Sequence, residues 1–299
     1  MNKNFHQAAR YVIISPVKDE ERYIEATLRS VTGQTLKPVR WIIVDDGSRD
    51  GTVDIIHRYM SRFAFIHLVR NSNRERRKTG APVIRAFNAG LAELGPVGYD
   101  FIVKLDCDLA FEPDYFERLL HHFRTHPGLG IASGVYFEKQ PNGAWLEIRM
   151  PAYHAAGACK VIRRECFEQI EGFIPSAGWD TVDEIRAMSR GWHTRHFREL
   201  PMQHLKPEGS GIGQLRTSFM HGEIFYLTGG SKIFLLLKTI RRVFQKPYLI
   251  NAFSMLRGYL QAMSGRRRLL VNAREAAVYK RILVKRMRDQ VKMLLDGHW

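Results

Sequence analysis

Four short apolar runs, each separated from the next by a stretch of helical periodicity, constrain this chain more than any other feature. Tyr11 to Ser15, Val39 to Val44, Phe65 to Val69 and Phe101 to Leu105 have the length and side chains of buried strands. Between them, Glu20 to Val31 carries Ile24, Leu28 and Val31 at roughly helical spacing, with acids in its first turn. Gly51 to Phe63 and Pro82 to Leu94 read as two more helices. Strands joined through helices of about ten residues or more pair in parallel. The spacing therefore predicts an open, mostly parallel, twisted α/β sheet flanked by helices. Such a sheet binds its ligand beyond the carboxyl ends of the strands.

Three strand ends carry chemistry. Phe101 to Leu105 runs into Asp106-Cys107-Asp108. Two carboxylates one residue apart read either as an acidic surface loop or as oxygen ligands for Mg²⁺ or Mn²⁺, which leave positions open for a diphosphate. Trp41 to Val44 runs into Asp45-Asp46-Gly47-Ser48. This reads either as an Asx-type turn or as a carboxylate accepting a hydrogen bond from a base N–H or a sugar hydroxyl. Ser15-Pro16-Val17-Lys18-Asp19-Glu20, after the first strand, lacks the Gly-x-Gly-x-x-Gly of a dinucleotide fold, which argues against a dehydrogenase.

Beyond Gly130 the pattern loosens. Ile131 to Tyr136 suggests a further strand, Gly157 to Gly172 contains a helix ending at Gly172-Phe173, and Asp180 to Gly191 reads as another helix. The Gly-rich stretch Pro207 to Gly213 suggests a boundary, dividing the chain into 1–100, 101–213 and 214–299. Three cysteines without metal-ligand spacing fit a reducing compartment. No apolar segment precedes Tyr11, so no secretion signal is expected.

In their order, Ser-Pro-x-x-Asp-Glu, Asp45-Asp46-Gly47-Ser48 and Asp106-x-Asp108 resemble the family 2 glycosyltransferases of GT-A fold. The likeness continues through Arg163-Arg164-Glu165-Cys166-Phe167 to Gly172-Phe173, and through Gly178-Trp179-Asp180-Thr181 and Arg186 to Gly191-Trp192. It covers about residues 10–200, and bacterial enzymes of polysaccharide or glycolipid assembly are the nearest in kind. The resemblance implies a nucleotide-diphosphate sugar donor, UDP- or GDP-linked, with Mn²⁺ or Mg²⁺ and inversion at the anomeric carbon. It places Pro16 and Asp19 beside the nucleotide, Asp45 on the base with Asp46 near it, Asp106 near the donor sugar and metal, and Asp108 on the metal. His204 is a candidate further metal ligand. The family's base lies in a Glu-Asp pair opening the helix that ends in Arg-x-x-x-x-Gly. Here that pair is Trp179-Asp180, which makes Asp180 the expected base and Asp183 its reserve. No Gln-x-x-Arg-Trp motif follows, so single-sugar addition is expected. The missing glutamate leaves open a catalytically silent binder of a sugar nucleotide or polyanion. A nucleotidyltransferase would normally show a Gly-rich basic loop after the first strand.

Charge is unevenly distributed. Residues 231–299 hold 16 Lys and Arg against 3 Asp and Glu, while the first 230 hold 30 against 27. In this basic tail, Phe234 to Leu237, Tyr248 to Ile250 and Phe253 to Leu256 alternate with Lys238, Arg241, Arg242, Lys246 and Arg266 to Arg268. The least charged span, Pro247 to Gly265, contains Arg257, which is costly at a bilayer centre. Helices lying on an anionic membrane surface through residues 231–299 are therefore expected, against a solvated helical subdomain or a nucleic-acid contact. No RNA-binding motif is present, so no nucleic acid is expected. Together these readings describe a peripheral enzyme on the inner face of the cell membrane, with a lipid-linked or glycan acceptor.

Overall fold

The computed structural model describes residues 9–71, 82–206, 213–243 and 249–295. Part of the basic loop expected after Arg70, most of the boundary at Pro207 to Gly213, and Phe244, Lys246 and Tyr248 of the tail lie outside them. The described chain forms two compact units. Ala177–Arg190 groups with the described residues after Glu208, and the remainder forms the other unit.

The first unit is built on one mixed sheet. Strands β1 (Tyr11–Val17), β2 (Arg40–Asp45), β3 (Ile66–Arg70) and β4 (Phe101–Leu105) alternate with helices α1 (Ile24–Thr32), α2 (Thr52–Met60) and α3 (Pro82–Ala92). They pair in parallel in the order β3-β2-β1-β4. The side chains of β1, β2 and β4 are buried on both faces, as strands covered by helices on each side must be, whereas the edge strand β3 buries only Ile66. Trp41 is fully buried, and its indole N–H donates to Ser15 Oγ at 2.9 Å. Pro16 is accommodated because it sits past the last residue of β1 that pairs with β4, where no amide is needed on that side.

Beyond β4 the pairing changes character. The chain continues through β5 (Leu109–Phe111), α4 (Tyr115–Thr125), β6 (Leu129–Lys139), β7 (Trp145–Glu147), β8 (Cys159–Arg163), α5 (Arg164–Gln169), α6 (Trp179–Ser189) and β9 (His193–His204). The sheet extends β4-β8-β6-β9-β5, antiparallel except for β6 with β9, and β7 pairs with β6. The helix expected within Gly157 to Gly172 is α5, and strand β8 precedes it in the same segment. Cys159, Val161 and Ile162 are buried, and β8 pairs with β4 on one side and β6 on the other.

The second unit is helical: α6 with α7 (Gln214–Leu227), α8 (Lys232–Val243), α9 (Ile250–Ser264) and α10 (Ala273–Leu295). Helices α7 and α9 meet backbone to backbone. A Cβ on Gly222 would stand 1.9 Å from the Met255 carbonyl oxygen, and one on Gly258 would stand 2.0 Å from that of Phe219. Helix α10 opens with a reciprocal capping box. The Glu275 amide donates to Asn272 Oδ1 and the Asn272 amide donates to Glu275 Oε2, both at 2.9 Å. Among the described residues, no helix is long and apolar enough to cross a membrane.

Candidate active site

Because β1, β2 and β4 run in parallel, their carboxyl ends share one edge of the sheet, where the sequence places Asp19, Asp45, Asp46 and Asp106. The loops after β1 and β2 are clasped together. The Asp19 amide donates to Ser48 Oγ at 3.0 Å, and Asp19 Oδ1 accepts the Arg49 amide at 2.8 Å. Next to them, the Glu20 amide donates to Thr52 Oγ1 at 2.9 Å and the Glu21 amide to Asp50 Oδ2 at 3.0 Å. Asp19 adopts φ 53°, a left-handed conformation that aspartate tolerates better than most residues. Each such bond contributes about 0.5–1.5 kcal/mol net, so the two loops form one preorganised surface.

Asp45 is buried, and its Oδ1 accepts the Ser48 amide at 2.8 Å, the geometry of an Asx turn. Asp46 accepts the side-chain amide of Asn71 at 3.1 Å, and its own amide donates to the Val17 carbonyl. The turn chemistry is thus realised at Asp45.

At the end of β4 the two aspartates are held differently. Asp106 Oδ1 lies 2.6 Å from Nζ of Lys104, a lysine almost wholly buried within the strand. That ammonium also donates to the Gly157 carbonyl at 2.8 Å. Asp108 Oδ2 lies 3.5 Å from His204 Nε2, and the opposite ring nitrogen, Nδ1, lies 2.9 Å from Glu138 Oε1. Register brings this about, since His204 at the end of β9 faces Glu138 on β6 and Leu109 on β5. The Leu205 amide then donates to the Asp108 carbonyl at 2.9 Å. Burial opposes a charge on His204. Hydrogen bonds with Asp108 and Glu138, together with the charges of Asp108 and Asp106, outweigh it and raise its pKa to about 9. Cys107, between the aspartates, is buried, and burial pushes its thiol up, so it packs and is not a nucleophile.

Negative charge is crowded here. Burial raises the Glu20 carboxyl, Lys206 opposes it from 2.5 Å, and the charges of Asp108 and Asp106 add to the rise. Burial likewise raises Asp106, against Lys104 and with Asp108. Asp108 Oδ1 and Glu20 Oε2 are buried with no hydrogen-bond partner among the described residues. An unsatisfied carboxylate oxygen beside an imidazole oriented by a second carboxylate is a donor set that suits Mn²⁺ or Mg²⁺. Among the described residues, no group of three or more His, Cys, Asp or Glu side chains is placed to hold a metal ion.

Helix α6 belongs to the second unit. Gly178 caps it at φ +82°, and a Cβ there would stand 2.6 Å from Ile224. Asp180 is half-buried in the first turn, whereas Asp183 is 2% exposed, with its Oδ1 accepting the Glu184 amide. Arg186 and Arg190 lie 4.0 Å and 3.3 Å from Glu275 of α10, so the arginine of the Arg-x-x-x-x-Gly pattern ties α6 to that helix. On α7, Arg216 is exposed and His221 is half-buried.

Sequence reasoning passed over Lys104, Glu138 and the pairing role of Glu20. Only Lys104 left a trace, as a charge interrupting an otherwise apolar strand directly before the acidic pair.

The acid-ended parallel sheet, with Asp-x-Asp after its fourth strand, defines an α/β protein whose candidate site lies at the strand ends. The model of the family described as "Glycosyl transferase family 2" matches residues 12–179, and the chain belongs to that family. It is 28% identical over 116 residues to the poly-beta-1,6-N-acetyl-D-glucosamine synthase of Staphylococcus aureus, a match covering 39% of this chain and 26% of that protein. It is 33% identical over 111 residues to the putative glycosyltransferase EpsH of Bacillus subtilis, covering 36% and 28%. The chain thus matches little more than a quarter of each relative's length. Among solved structures it resembles the mannosyltransferase PcManGT of Pyrobaculum calidifontis, in complex with GDP-Man and Mn²⁺. The TM-score is 0.57 at 18% identity, over 91% of this chain and 79% of that one. It also resembles S. aureus TarS 1–349 with UDP-GlcNAc, at TM-score 0.54 and 13% identity, over 90% and 78%. The fold is that of the GT-A glycosyltransferases.

Proposed function

We propose that this chain transfers a single sugar, with inversion, from a UDP- or GDP-linked donor to a hydroxyl of a lipid-linked or glycan acceptor. The observation that carries the reading is Asp108, with one carboxylate oxygen buried and unsatisfied and the other beside His204. Asp108, Asp106 and His204 would hold Mn²⁺ or Mg²⁺. A bound cation supplies counter-charge to the departing nucleoside diphosphate.

The remaining work falls to side chains. Lys104 keeps the Asp106 carboxylate oriented, and Glu138 keeps Nε2 of His204 turned toward Asp108. Pro16, Asp19, Asp45 and Asp46 border the nucleoside, with Asp45 accepting from the base and the loop clasp holding its place. Asp180 takes the proton of the acceptor hydroxyl as that oxygen bonds to the anomeric carbon and the bond to the diphosphate oxygen breaks. Its half-buried place in the first turn of α6 favours it over Asp183, which is nearly inaccessible. The basic residues of 231–299 would hold the enzyme on the inner face of the cell membrane.

A second reading, a silent sugar-nucleotide binder, draws support from Trp179, which occupies the glutamate position and is buried. Calorimetric titration of UDP, GDP, dTDP and CDP, with Mn²⁺ and then with EDTA, tests the donor reading. Metal-dependent binding of one diphosphate supports it, and binding of none overturns it. Turnover then separates enzyme from silent binder.

A further inference from the structure

The second unit exposes apolar side chains in an arrangement that water does not favour. On α8, Phe234 and Leu235 are buried, with Phe234 stacked near Phe225 and Lys238 lying over the same ring at 4.9 Å. The opposite side of the helix presents Ile233, Leu236, Leu237 and Ile240, all 44–68% exposed. Their spacing of three, one and three residues places them on one face. A surface helix normally turns polar residues outward, and this one does the reverse. Between α7 and α9 lies an open groove of about 460 Å³, lined by Leu215, Phe219, Leu249, Ile250 and Phe253, with Arg257 at its side. Phe253 is 71% exposed. Neither α8 nor α9 contains an acidic residue.

We propose that the outer face of α8 and the α7–α9 groove together dock onto an anionic lipid bilayer, with an acyl chain in the groove and its phosphate on Arg257. The inference rests on the membrane part of the function proposed above and names the surface that performs it.

Charge selects this occupant. A second copy of the chain would bring Lys232, Arg257 and Arg266 to Arg268 against one another, whereas lipid phosphates neutralise them. A nucleic acid would set its phosphates against the aliphatic row on α8. A spanning mode is not offered by any described helix. An in-plane helix with its aliphatic face in the acyl boundary and its cations at the phosphates satisfies both halves of the pattern.

The test is co-sedimentation of the full chain with phosphatidylcholine vesicles, with and without about one-third phosphatidylglycerol. The protein should partition onto the anionic vesicles about tenfold more strongly than onto the neutral ones. The double variant Leu236→Glu/Ile240→Glu should lose about tenfold of that partitioning, and Arg257→Gln should lower it only on anionic vesicles. Both variants should keep wild-type thermal unfolding. Wild-type protein that stays in the supernatant, or a double variant that binds as well as wild type, overturns the proposal. So does a wild-type dimer in light scattering that the double variant dissolves. Diphosphate binding is measured without vesicles, so vesicle binding with no nucleotide binding sinks the donor reading alone, and the converse sinks only the docking surface.

Discussion

The two units dispose of their apolar side chains in opposite ways. In the sheet unit, the large exposed hydrophobics are confined to Trp145 and Leu146 on the β6–β7 hairpin, and every other one described belongs to the helical unit. The sheet unit instead places carboxylates at its strand ends, where burial and mutual repulsion make them uncomfortable. In the helical unit, Glu275 pairs with Arg190 and Glu223 with Arg267. One unit is short of positive charge at its functional edge, and the other carries an excess of it beside exposed aliphatics. The contrast motivates the two proposals, donor chemistry for the first unit and surface docking for the second.

Substitutions that disable one property while sparing the other sharpen this comparison. The largest effect is expected from Asp180→Asn, which should lower turnover by about 10²–10⁴ while diphosphate affinity and vesicle binding stay at wild-type levels. Asp183→Asn should leave most of the activity. A reversal of that ranking in initial-rate assays would move the base to Asp183. Asp108→Asn comes next, with a loss of about 10²–10³ in turnover and of metal-dependent diphosphate binding in calorimetry. Unchanged vesicle partitioning by that variant would keep the two units' roles separate, and a loss of partitioning would merge them.

A structural substitution should act on the helical unit alone. Gly222→Ala forces a methyl group into the Met255 carbonyl. Overpacking of this kind costs about 1–3 kcal/mol. Thermal unfolding should show a lowered transition for the helices, and calorimetry an unaltered diphosphate affinity at temperatures below it.

The smallest effect concerns pH. His204 must shed its proton to bind a metal, and its pKa stands at about 9. Mn²⁺ affinity should therefore rise about tenfold per pH unit as that value is approached, then level off. His204→Gln should flatten the slope. In the metal-free protein the raised pKa has the opposite consequence. The stability it contributes is complete below roughly pH 6.5 and is lost as pH rises through about 9.

Much of the sheet was legible in the chain. Phe101–Leu105 begins and ends where its apolar run does, and β2 is displaced by a single residue from the expected strand. The second half was far less legible. Strand β9, His193–His204, buries Thr194, Phe197, Leu200 and Met202 at uneven intervals. Its pairing jumps from Phe197 to Pro201 opposite consecutive residues of β6, so no period of two survives to be read.

The site divides along the same line. Asp45, Asp46, Asp106 and Asp108 announce themselves locally, because a strand end and its loop are contiguous in the chain. The sequence alone determined the alternating strands and helices, the acidic strand ends and the concentration of positive charge after residue 230. Tertiary structure decided that His204 meets Asp108, that Glu138 orients the imidazole, and that Lys104 holds Asp106. It also decided which face of α8 remains uncovered. The reason is range. Hydrophobic periodicity and turn chemistry act over a few residues. Which charges come within bonding distance depends on the register between strands far apart in the chain.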